Sequence, residues 1–523
     1  MNRDKQKLHS SKGRASIVEK REKVNVIGLF FVAIQFLISV FFIALVWELG
    51  VLPQKFFTIL VALILFLFAG VLLSQLIRKK SFIITGRSFG ALFVAGLVVS
   101  SSLAMRANRM IADITASPAA QTSTILVAVK ADDPAESIQD TATYSFGVQK
   151  KPAREQIEPA IAEINKTLRV SIENTEYDNL SALVSALYAD EVQAIIYNKA
   201  FSENINEEFE GYKDSVKIIY QFTSTEENPF FIQPVLNSVK IATDANASPF
   251  MKDEAYCILL GGEIEHKDDL RNTTRYEDLK GLNDLHMIAV INPETRQIML
   301  VSTPRDYFVE LPGITNGAKD KLCHSNIYGV NTSIAALNNI YDIELEGYVR
   351  MNIDSFIAII DLLGGLEIHS EEEFTTSREL LVEKGLNQFT GEESLIYASE
   401  EWYKMTSDMR LRGQNRQKVV DELIQSITSP SVLKNADLIM QEMGKGVKTS
   451  FSKADIQTLI SEQLNSGEKW NIQSVSTVGK SSFQTCYSYS GTTLHVTIPD
   501  MNSVNEVKGK INNIMNGEPL PEF

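Results

Sequence analysis

Three apolar segments in the first fifth of the chain constrain its fold most strongly. Two of them are 22 residues long without a formal charge, and a third has 18 residues; they cover residues 26–47, 56–77 and 88–105. About 20 consecutive apolar residues cross the hydrocarbon core of a bilayer as a helix. The sequence therefore predicts three transmembrane helices, preceded by a basic tail at residues 1–25.

The distribution of positive charge predicts the orientation of these helices. Residues 1–25 hold eight Lys and Arg, and the segment between the second and third helices holds four more. The loop between the first two helices carries only one cation, Lys55. Because positively charged loops remain in the cytoplasm, we expect a cytoplasmic N-terminus and an extracytoplasmic body after about residue 106.

The charge balance of the body argues against nucleic acid as a partner. Residues 1–110 carry 15 Lys and Arg against 4 Asp and Glu, which is +11, whereas the remainder carries 35 against 61, which is −26. Binding to a phosphate backbone requires a broad basic surface. Local clusters of cations in such an acidic body are therefore informative, because they oppose the average.

Hydrophobic periodicity beyond residue 110 predicts two α/β domains on this membrane anchor. An accessory domain at 111–245 begins with a stalk at 111–123, and a polar linker at 243–254 precedes a larger domain with a mixed sheet and flanking helices at 255–515. The accessory domain is predicted to have strands at 125–129, 194–197 and 216–222 and helices at 153–168 and 179–188. The larger domain is predicted to have strands at 256–260, 285–291, 297–303, 366–369 and 493–498, and helices at 331–340, 353–363 and 414–427. Gly364 and Gly365 should end the helix at 353–363.

Several polar residues carry no metal-ligand or catalytic spacing. The cysteines are too widely separated for a metal site, and we expect each to be a small buried residue: Cys257, Cys323 and Cys486. The scattered histidines are expected to be structural: His286, His324 and His369. The acids near the end of the accessory domain are expected to form a solvated face: Glu203, Glu207, Glu208 and Glu210.

An apolar strand that ends in Pro304-Arg305-Asp306 is the strongest candidate site. Proline ends the regular strand ladder, and open sheets tend to place their chemistry at strand ends. Asp284 begins the preceding strand, and a basic cluster lies about a hundred residues downstream: Lys404, Arg410, Arg412, Arg416 and Lys418. Carboxylates for a divalent cation together with arginines are suited to holding a pyrophosphate. A surface ion pair is the ordinary alternative.

The larger domain resembles the LytR–CpsA–Psr family of cell-envelope proteins. The segments that carry the resemblance are 284–306, Asp320-Lys321, 361–368 and 412–418. The three-helix anchor and the additional α/β domain resemble the CpsA-type branch. The combination of segments is specific, whereas no single segment is.

The resemblance implies an Mg²⁺-dependent enzyme of Gram-positive envelopes. Such an enzyme transfers a capsular, extracellular or teichoic-acid-like glycopolymer from a polyprenyl-pyrophosphate carrier to peptidoglycan, with other capsule-assembly proteins as further partners. The implied metal ligands are Asp284 and Glu263, and the implied catalytic residues are Arg305 and Asp306. The implied phosphate ligands are Arg305, Lys321, Arg412, Arg416 and Gln417. Asp306 would either orient Arg305 or act as a base toward the acceptor hydroxyl.

The chain departs from the family pattern at three phosphate-binding positions. Leu282, Glu400 and Trp402 stand where the family has arginines. A catalytically degenerate member that regulates or scaffolds capsule or exopolysaccharide assembly is therefore the alternative hypothesis. The candidate residues also have ordinary interpretations: Asp284 could cap a turn, Lys321 could be a solvated loop residue, and the arginines could form a charged helix face.

Overall fold

The chain forms two compact units. The structure, a computed structural model, describes residues 26–77, 79–115, 123–150, 154–224, 255–263, 286–376, 378–399, 410–429, 432 and 434–518. One unit comprises Met1–Ile111 with Ile456–Gly467, and the other comprises Ala112–Asp455 with Glu468–Phe523. Most of both predicted domains of the body belongs to the second unit, whereas 456–467 of the larger domain belongs to the first. The predicted linker at 243–254 lies outside the described residues.

Three long helices begin the described chain: α1 Val26–Leu49, α2 Gln54–Leu76 and α3 Lys80–Thr115. All three are long and apolar enough to cross a membrane, which confirms this part of the prediction. Many of their large apolar side chains, such as Phe66, are exposed, as expected where lipid is the solvent. Together these features suggest a membrane anchor.

The third helix is longer than its apolar sequence predicts. It has 36 residues and continues to Thr115, so it includes the first five residues of the predicted stalk. Hydropathy falls at Arg106, but the helix continues because Ile111 is buried and packs with Ala104 and Leu49. The predicted end of the helix was placed at the change of polarity, whereas packing of apolar side chains determines where the helix ends in the structure.

The accessory domain contains a five-stranded sheet with helices on both faces. Its strands are β1 Ser123–Lys130, β2 Ser145–Gln149, β3 Glu173–Tyr177, β4 Ala194–Asn198 and β5 Val216–Ser224, in the order β3-β2-β4-β1-β5. Its helices are α4 Arg154–Leu168, α5 Leu180–Tyr188, α6 Ser202–Glu208 and α7 Tyr212–Ser215. Helices α4 and α5 pack in separate cores on opposite faces of the sheet. The predicted strands and helices are confirmed, but β2 and β3 were missed.

The larger domain is built on a six-stranded mixed sheet. Its strands are β6 Tyr256–Glu263, β7 Met287–Asn292, β8 Gln297–Ser302, β11 Gly347–Asn352, β16 Val447–Thr449 and β17 Asn471–Ser476, in the order β16-β11-β6-β7-β8-β17. Shorter pairs are β9 Phe308–Val309 with β10 Asp320–Lys321, β12 Leu366–Ser370 with β15 Gly385–Phe389, β13 Phe374–Thr375 with β14 Leu381–Val382, and β18 Gly479–Gln484 with β19 Leu494–Pro499. The helices are α8 Val330–Tyr341, α9 Ile353–Leu363, α10 Gly391–Ser399, α11 Arg410–Thr428, α12 Ala436–Gly446, α13 Lys453–Ser466 and α14 Met501–Met515.

Strands β7 and β8 are buried on both faces, which explains their nearly continuous apolar sequences. Ile288 of β7 packs with Ile334 of α8 and Ile511 of α14 in one core. A second core joins α9, α10 and α11. Gly364 ends α9 with φ +96°, a backbone conformation that favours glycine, so the predicted helix end is confirmed.

The strand directions bring several strand ends to one edge of this sheet. Strands β6 and β11 are parallel, as are β8 and β17, and β7 runs antiparallel to both β6 and β8. The register places four residues in one row: Leu260, Met287, Ser302 and Ser476. The carboxyl ends of β6, β8, β11 and β17 therefore share an edge with the start of β7. Open α/β sheets bind ligands at such an edge.

Candidate phosphate-binding site

The turn after β8 lies at this edge and is fixed by its backbone. The amide of Thr303 donates to the carbonyl of His286 at 3.1 Å, and the amide of Tyr307 donates to the carbonyl of Pro304 at 3.1 Å. Tyr307 is fully buried, and its hydroxyl donates to the carbonyl of Val478 at 2.7 Å. The buried ring anchors the two residues before it, Arg305 and Asp306.

Two cations contact the same carboxylate oxygen in this turn. Lys321 Nζ lies 3.2 Å from Asp306 Oδ1, and Arg305 Nε lies 3.7 Å from that atom. The side chains of Lys321, Arg305 and Asp306 are 8%, 19% and 20% exposed. The three groups together carry a net charge of +1 at neutral pH. A partly buried cluster with excess positive charge has the groups needed to bind an anion.

Burial opposes the charge on Lys321, but the carboxylate of Asp306 outweighs it. Desolvation lowers the pKa of this amine, and the nearby carboxylate raises it, with the net result that the pKa lies above its ordinary value of 10.5. The neighbouring guanidinium of Arg305 acts in the opposite direction. Lys321 therefore remains fully protonated at physiological pH.

Strand pairing sets Lys321 beside Asp306. Strand β10 pairs antiparallel with β9, with Lys321 opposite Phe308. Beyond this pair, the amide of Leu322 donates to Tyr307 and the amide of Cys323 donates to Arg305, each at 2.9 Å. These main-chain bonds fix the position from which the flexible lysine side chain extends.

Asp320, the residue before Lys321, is a fully buried carboxylate with four donors. Oδ1 accepts from the amide of Lys321 at 2.8 Å and contacts Nδ1 of His324 at 2.5 Å. Oδ2 accepts from the amide of Ser488 at 2.8 Å and from its hydroxyl. Burial raises the pKa of Asp320, but the His324 imidazole and the bonds from Ser488 outweigh burial, so the pKa is lowered. No sequence pattern indicates the role of Ser488, which lies 168 residues away.

Asp320, His324 and Cys486 form a buried group whose ligand atoms lie within 4.8 Å of one another. The 2.5 Å contact between Asp320 and His324 is a direct hydrogen bond, which leaves no space for an ion between them. Burial and the nearby Asp320 carboxylate raise the pKa of the Cys486 thiol to about 12. The group is therefore a hydrogen-bonded support for β10, and Cys486 is buried as expected.

Helix α11 contributes two buried polar residues. Arg416 Nε donates to the carbonyl of Ala398 at 3.2 Å. Gln417 Nε2 donates to the carbonyl of Leu300 at 3.0 Å and to that of Val475, and its oxygen accepts from Ser476. The Gln417 amide thus ties α11 to β8 and β17. Its expected role as a phosphate ligand stays a prediction, and in this structure its amide nitrogen binds main-chain carbonyls.

The structure leaves the other candidate side chains undescribed. Asp284 lies outside the described residues, as do Leu282, Glu400 and Trp402. The backbone of Glu263 ends β6 opposite Asn352, at the same sheet edge as Ser302, but its side chain is outside the description. The backbone of Arg412 belongs to α11, again without a described side chain. Of the candidate residues, the structure brings together Arg305, Asp306 and Lys321.

Comparisons with known proteins match the part of the chain that contains this candidate site. Residues 211–505, more than half of the sequence, match the model of the LytR_cpsA_psr family. The polyisoprenyl-teichoic acid–peptidoglycan teichoic acid transferase TagU of Bacillus cereus (strain AH820) is 29% identical over 203 residues, which are 39% of this chain and 62% of that protein. The TagU of Enterococcus faecalis (strain ATCC 700802 / V583) is 26% identical over 208 residues, or 39% and 65% of the two chains.

These matches span less than two thirds of the length of the curated relatives. Among solved structures, TagV of Bacillus subtilis is 21% identical and covers 52% of this chain and 100% of its own, with a TM-score of 0.40. TagT bound to LIIa-WTA is 19% identical and covers 52% of this chain and 94% of its own, with a TM-score of 0.40.

Proposed function

Since this chain belongs to the LytR–CpsA–Psr family, we propose that it is a membrane-anchored transferase that moves a glycopolymer from a polyprenyl-pyrophosphate carrier to peptidoglycan. The observation that carries the proposal is the Arg305–Asp306–Lys321 cluster at the carboxyl edge of the sheet. Three apolar helices in the same chain suit a substrate whose lipid lies in the bilayer.

The cluster matches the charge that develops during this reaction. The acceptor hydroxyl of peptidoglycan attacks the phosphorus that bears the sugar, and the bond from that phosphorus to the polyprenyl phosphate breaks. A sugar phosphodiester forms, and polyprenyl monophosphate leaves with the additional negative charge. Arg305 and Lys321 would stabilise that charge in the transition state.

Asp306 would accept the proton of the attacking hydroxyl. A diphosphate that binds Arg305 and Lys321 competes with the carboxylate for both cations. Displacement from them leaves the carboxylate of Asp306 able to accept the hydroxyl proton when the substrate is present.

Further phosphate contacts would come from Arg412 and Arg416, and Mg²⁺ would be held by Asp284 and Glu263. Mg²⁺ is bound in proteins by one or two carboxylates together with substrate phosphates, and it would neutralise part of the diphosphate charge. The backbone of Glu263 lies at the shared sheet edge, which is a suitable position for a carboxylate ligand. Asp306 fits it less well, because two cations already contact its carboxylate.

The transferred polymer is a glycopolymer carried on a lipid diphosphate. The named relatives are teichoic acid transferases. Capsular and extracellular polysaccharides on the same type of carrier present an equivalent phosphorus, so they belong to the proposed substrate class. The extracytoplasmic position of the body is part of the proposal, and it rests on the positive charges of the N-terminal tail and of the segments between the apolar helices.

The direct test uses full-length protein in lipid nanodiscs with a polyprenyl-pyrophosphate disaccharide, Mg²⁺ and peptidoglycan fragments. Arg305→Ala should lower kcat/KM by about 100-fold or more, the magnitude typical of removing one charge-stabilising donor. Arg169→Ala, at an exposed position of the accessory domain, is the matched control and should retain full activity. A wild-type protein that binds the lipid and leaves it intact would contradict the transferase.

That contradictory result would favour the second candidate, a catalytically degenerate regulator or scaffold of capsule or exopolysaccharide assembly. The observation behind it is the replacement of three family arginines by Leu282, Glu400 and Trp402. Under this alternative, Arg305→Ala should leave the assembly with capsule-synthesis proteins intact, as measured by co-purification from membranes.

A further inference from the structure

Among the described residues, the loop 486–491 of the larger domain contacts the accessory domain. Tyr489 of this loop is buried, and its hydroxyl donates to Glu208 Oε2 at 2.7 Å. Ser181 donates to the same oxygen at 2.7 Å, so the carboxylate joins α5, α6 and the loop. Glu208 is exposed, as expected, although its carboxylate accepts these two hydrogen bonds. The ring of Tyr489 also packs against Phe201, with ring centroids 6.1 Å apart.

The loop lies tightly against the start of α5. Gly491 has φ +144°, and a Cβ added there would lie 2.7 Å from the side-chain amide carbon of Asn179. Asn179 is the N-cap of α5, because its side chain accepts from the amide of Ala182 at 2.8 Å. Only glycine fits both the backbone conformation and the space at this position.

The same loop contacts the carboxylate that supports the phosphate-binding lysine. Ser488, next to Tyr489, donates its amide and its hydroxyl to Asp320. The other Asp320 oxygen accepts from the amide of Lys321. A hydrogen-bonded route thus runs from Glu208 of the accessory domain to the backbone of Lys321.

A second route reaches the same carboxylate. Phe201 of the accessory domain packs edge-on against His324, with ring centroids 6.2 Å apart. His324 contacts Asp320 at 2.5 Å. Both routes converge on Asp320, which accepts a hydrogen bond from the backbone amide of Lys321. The ammonium group of Lys321 contacts Asp306 instead.

We propose that the accessory domain is a positioning domain for Lys321, acting through Tyr489, Ser488 and Asp320. The reaction that it serves rests on the proposed function, but the mechanical coupling does not. A lysine side chain has four rotatable bonds, so its ammonium meets a diphosphate efficiently only if its backbone is held in place. If the interface only stabilised the fold, its disruption would have no specific effect on the backbone at Lys321.

The test measures hydrogen exchange by mass spectrometry on the full-length protein in nanodiscs, in peptides that cover residues 319–324. Tyr489→Phe removes the hydroxyl that bonds Glu208. Ser488→Ala removes the hydroxyl that bonds both Asp320 and Tyr328. Both variants should accelerate exchange at residues 320–323 by about fivefold, the effect expected of one lost hydrogen bond on local opening. Ser488→Thr, which retains a hydroxyl, should restore slow exchange.

The matched control is Tyr188→Phe, which removes a hydroxyl that bonds Ser215 within the accessory domain at 2.6 Å. It should leave residues 320–323 unchanged. In the transfer assay, Tyr489→Phe should lower kcat/KM by about fivefold, because the bound diphosphate and the transition state both lose a pre-positioned cation.

The two hypotheses fail in different ways. Unchanged exchange at residues 320–323 in both Tyr489→Phe and Ser488→Ala would overturn the positioning role, whether or not the enzyme is active. Equal acceleration in all peptides of both domains would also overturn it, because that pattern indicates general destabilisation. A wild-type protein without transferase activity but with the predicted exchange pattern would contradict the proposed function alone.

Discussion

Replacing Asp306 with Asn should tighten the binding of pyrophosphate while it suppresses transfer. The substitution preserves the shape of the side chain and removes one negative charge beside Arg305 and Lys321. The net charge of the cluster rises from +1 to +2. Pyrophosphate then no longer competes with a carboxylate for the two cations, but the group that accepts the proton of the acceptor is lost.

The distances give the magnitude of the effect on binding. At 3.2 Å and an effective dielectric constant of about 20, the attraction between Asp306 and Lys321 is about 5 kcal/mol, and at 3.7 Å the attraction to Arg305 is similar. Desolvation of the charges offsets most of this attraction. A net gain of about 1–2 kcal/mol corresponds to about 5–30-fold tighter pyrophosphate binding.

Isothermal titration calorimetry with inorganic pyrophosphate, without Mg²⁺, measures this gain on the full-length protein in nanodiscs. The gain should shrink at about 1 M salt, where the Debye length is about 3 Å. Asp190→Asn is the control, because Asp190 pairs with Lys130 at 2.7 Å in the accessory domain, and it should not change pyrophosphate affinity. Weaker pyrophosphate binding by Asp306→Asn would refute the competition between the carboxylate and the diphosphate. Transfer should fall by about 100-fold or more, as expected for loss of a general base.

Two further predictions concern the groups around Lys321. Asp320→Asn should lower the free energy of unfolding by about 3 kcal/mol or more in a denaturant titration followed by fluorescence. An amide has one acceptor oxygen where the carboxylate has two, so about two charge-assisted bonds are lost. Asp342→Asn, at an exposed carboxylate, is the control and should change the free energy of unfolding little. The raised pKa of Lys321 predicts that its contribution to pyrophosphate affinity, measured as the difference between wild type and Lys321→Met, is present below pH 10.5 and is lost as the pH rises through the higher folded value. A difference that disappears well below pH 10.5 would contradict it. The lowered pKa of Asp320 has the opposite sign, so its contribution to stability is present above its ordinary pKa of 3.8 and is lost as the pH falls through the lower folded value.

The sequence predicted correctly those helices and strands for which the apolar pattern and the terminal residues indicate the same bounds. Helix α9 has the predicted bounds because an apolar stripe lies between the N-cap Asn352 and Gly364. Strands β7 and β8 were found because both of their faces are buried. Strand β3 was missed because its residues, Glu173–Tyr177, are polar and none is buried. Its position is decided by main-chain pairing with β2, which periodicity does not reveal.

The position of the Arg305–Asp306 pair at a strand end was predictable because these residues are neighbours in sequence. Pro304 ends a buried strand immediately before Arg305 and Asp306, and the structure brings Lys321 to the same carboxylate. The contacts that hold this cluster join residues distant in sequence, such as Tyr489 and Glu208, which are 281 positions apart. Side-chain amides are similarly ambiguous from sequence, because Gln417 has the composition of a phosphate ligand but binds main-chain carbonyls.

An experimental structure of the full-length protein with a bound polyprenyl-pyrophosphate sugar and Mg²⁺ tests the central claim most directly. We predict diphosphate oxygens within about 3 Å of the Arg305 guanidinium and the Lys321 ammonium, as in charge-assisted hydrogen bonds, with the Asp306 carboxylate released from at least one of them. A diphosphate bound elsewhere, with the 3.2 Å contact between Lys321 and Asp306 intact, would contradict the site and the transferase mechanism built on it.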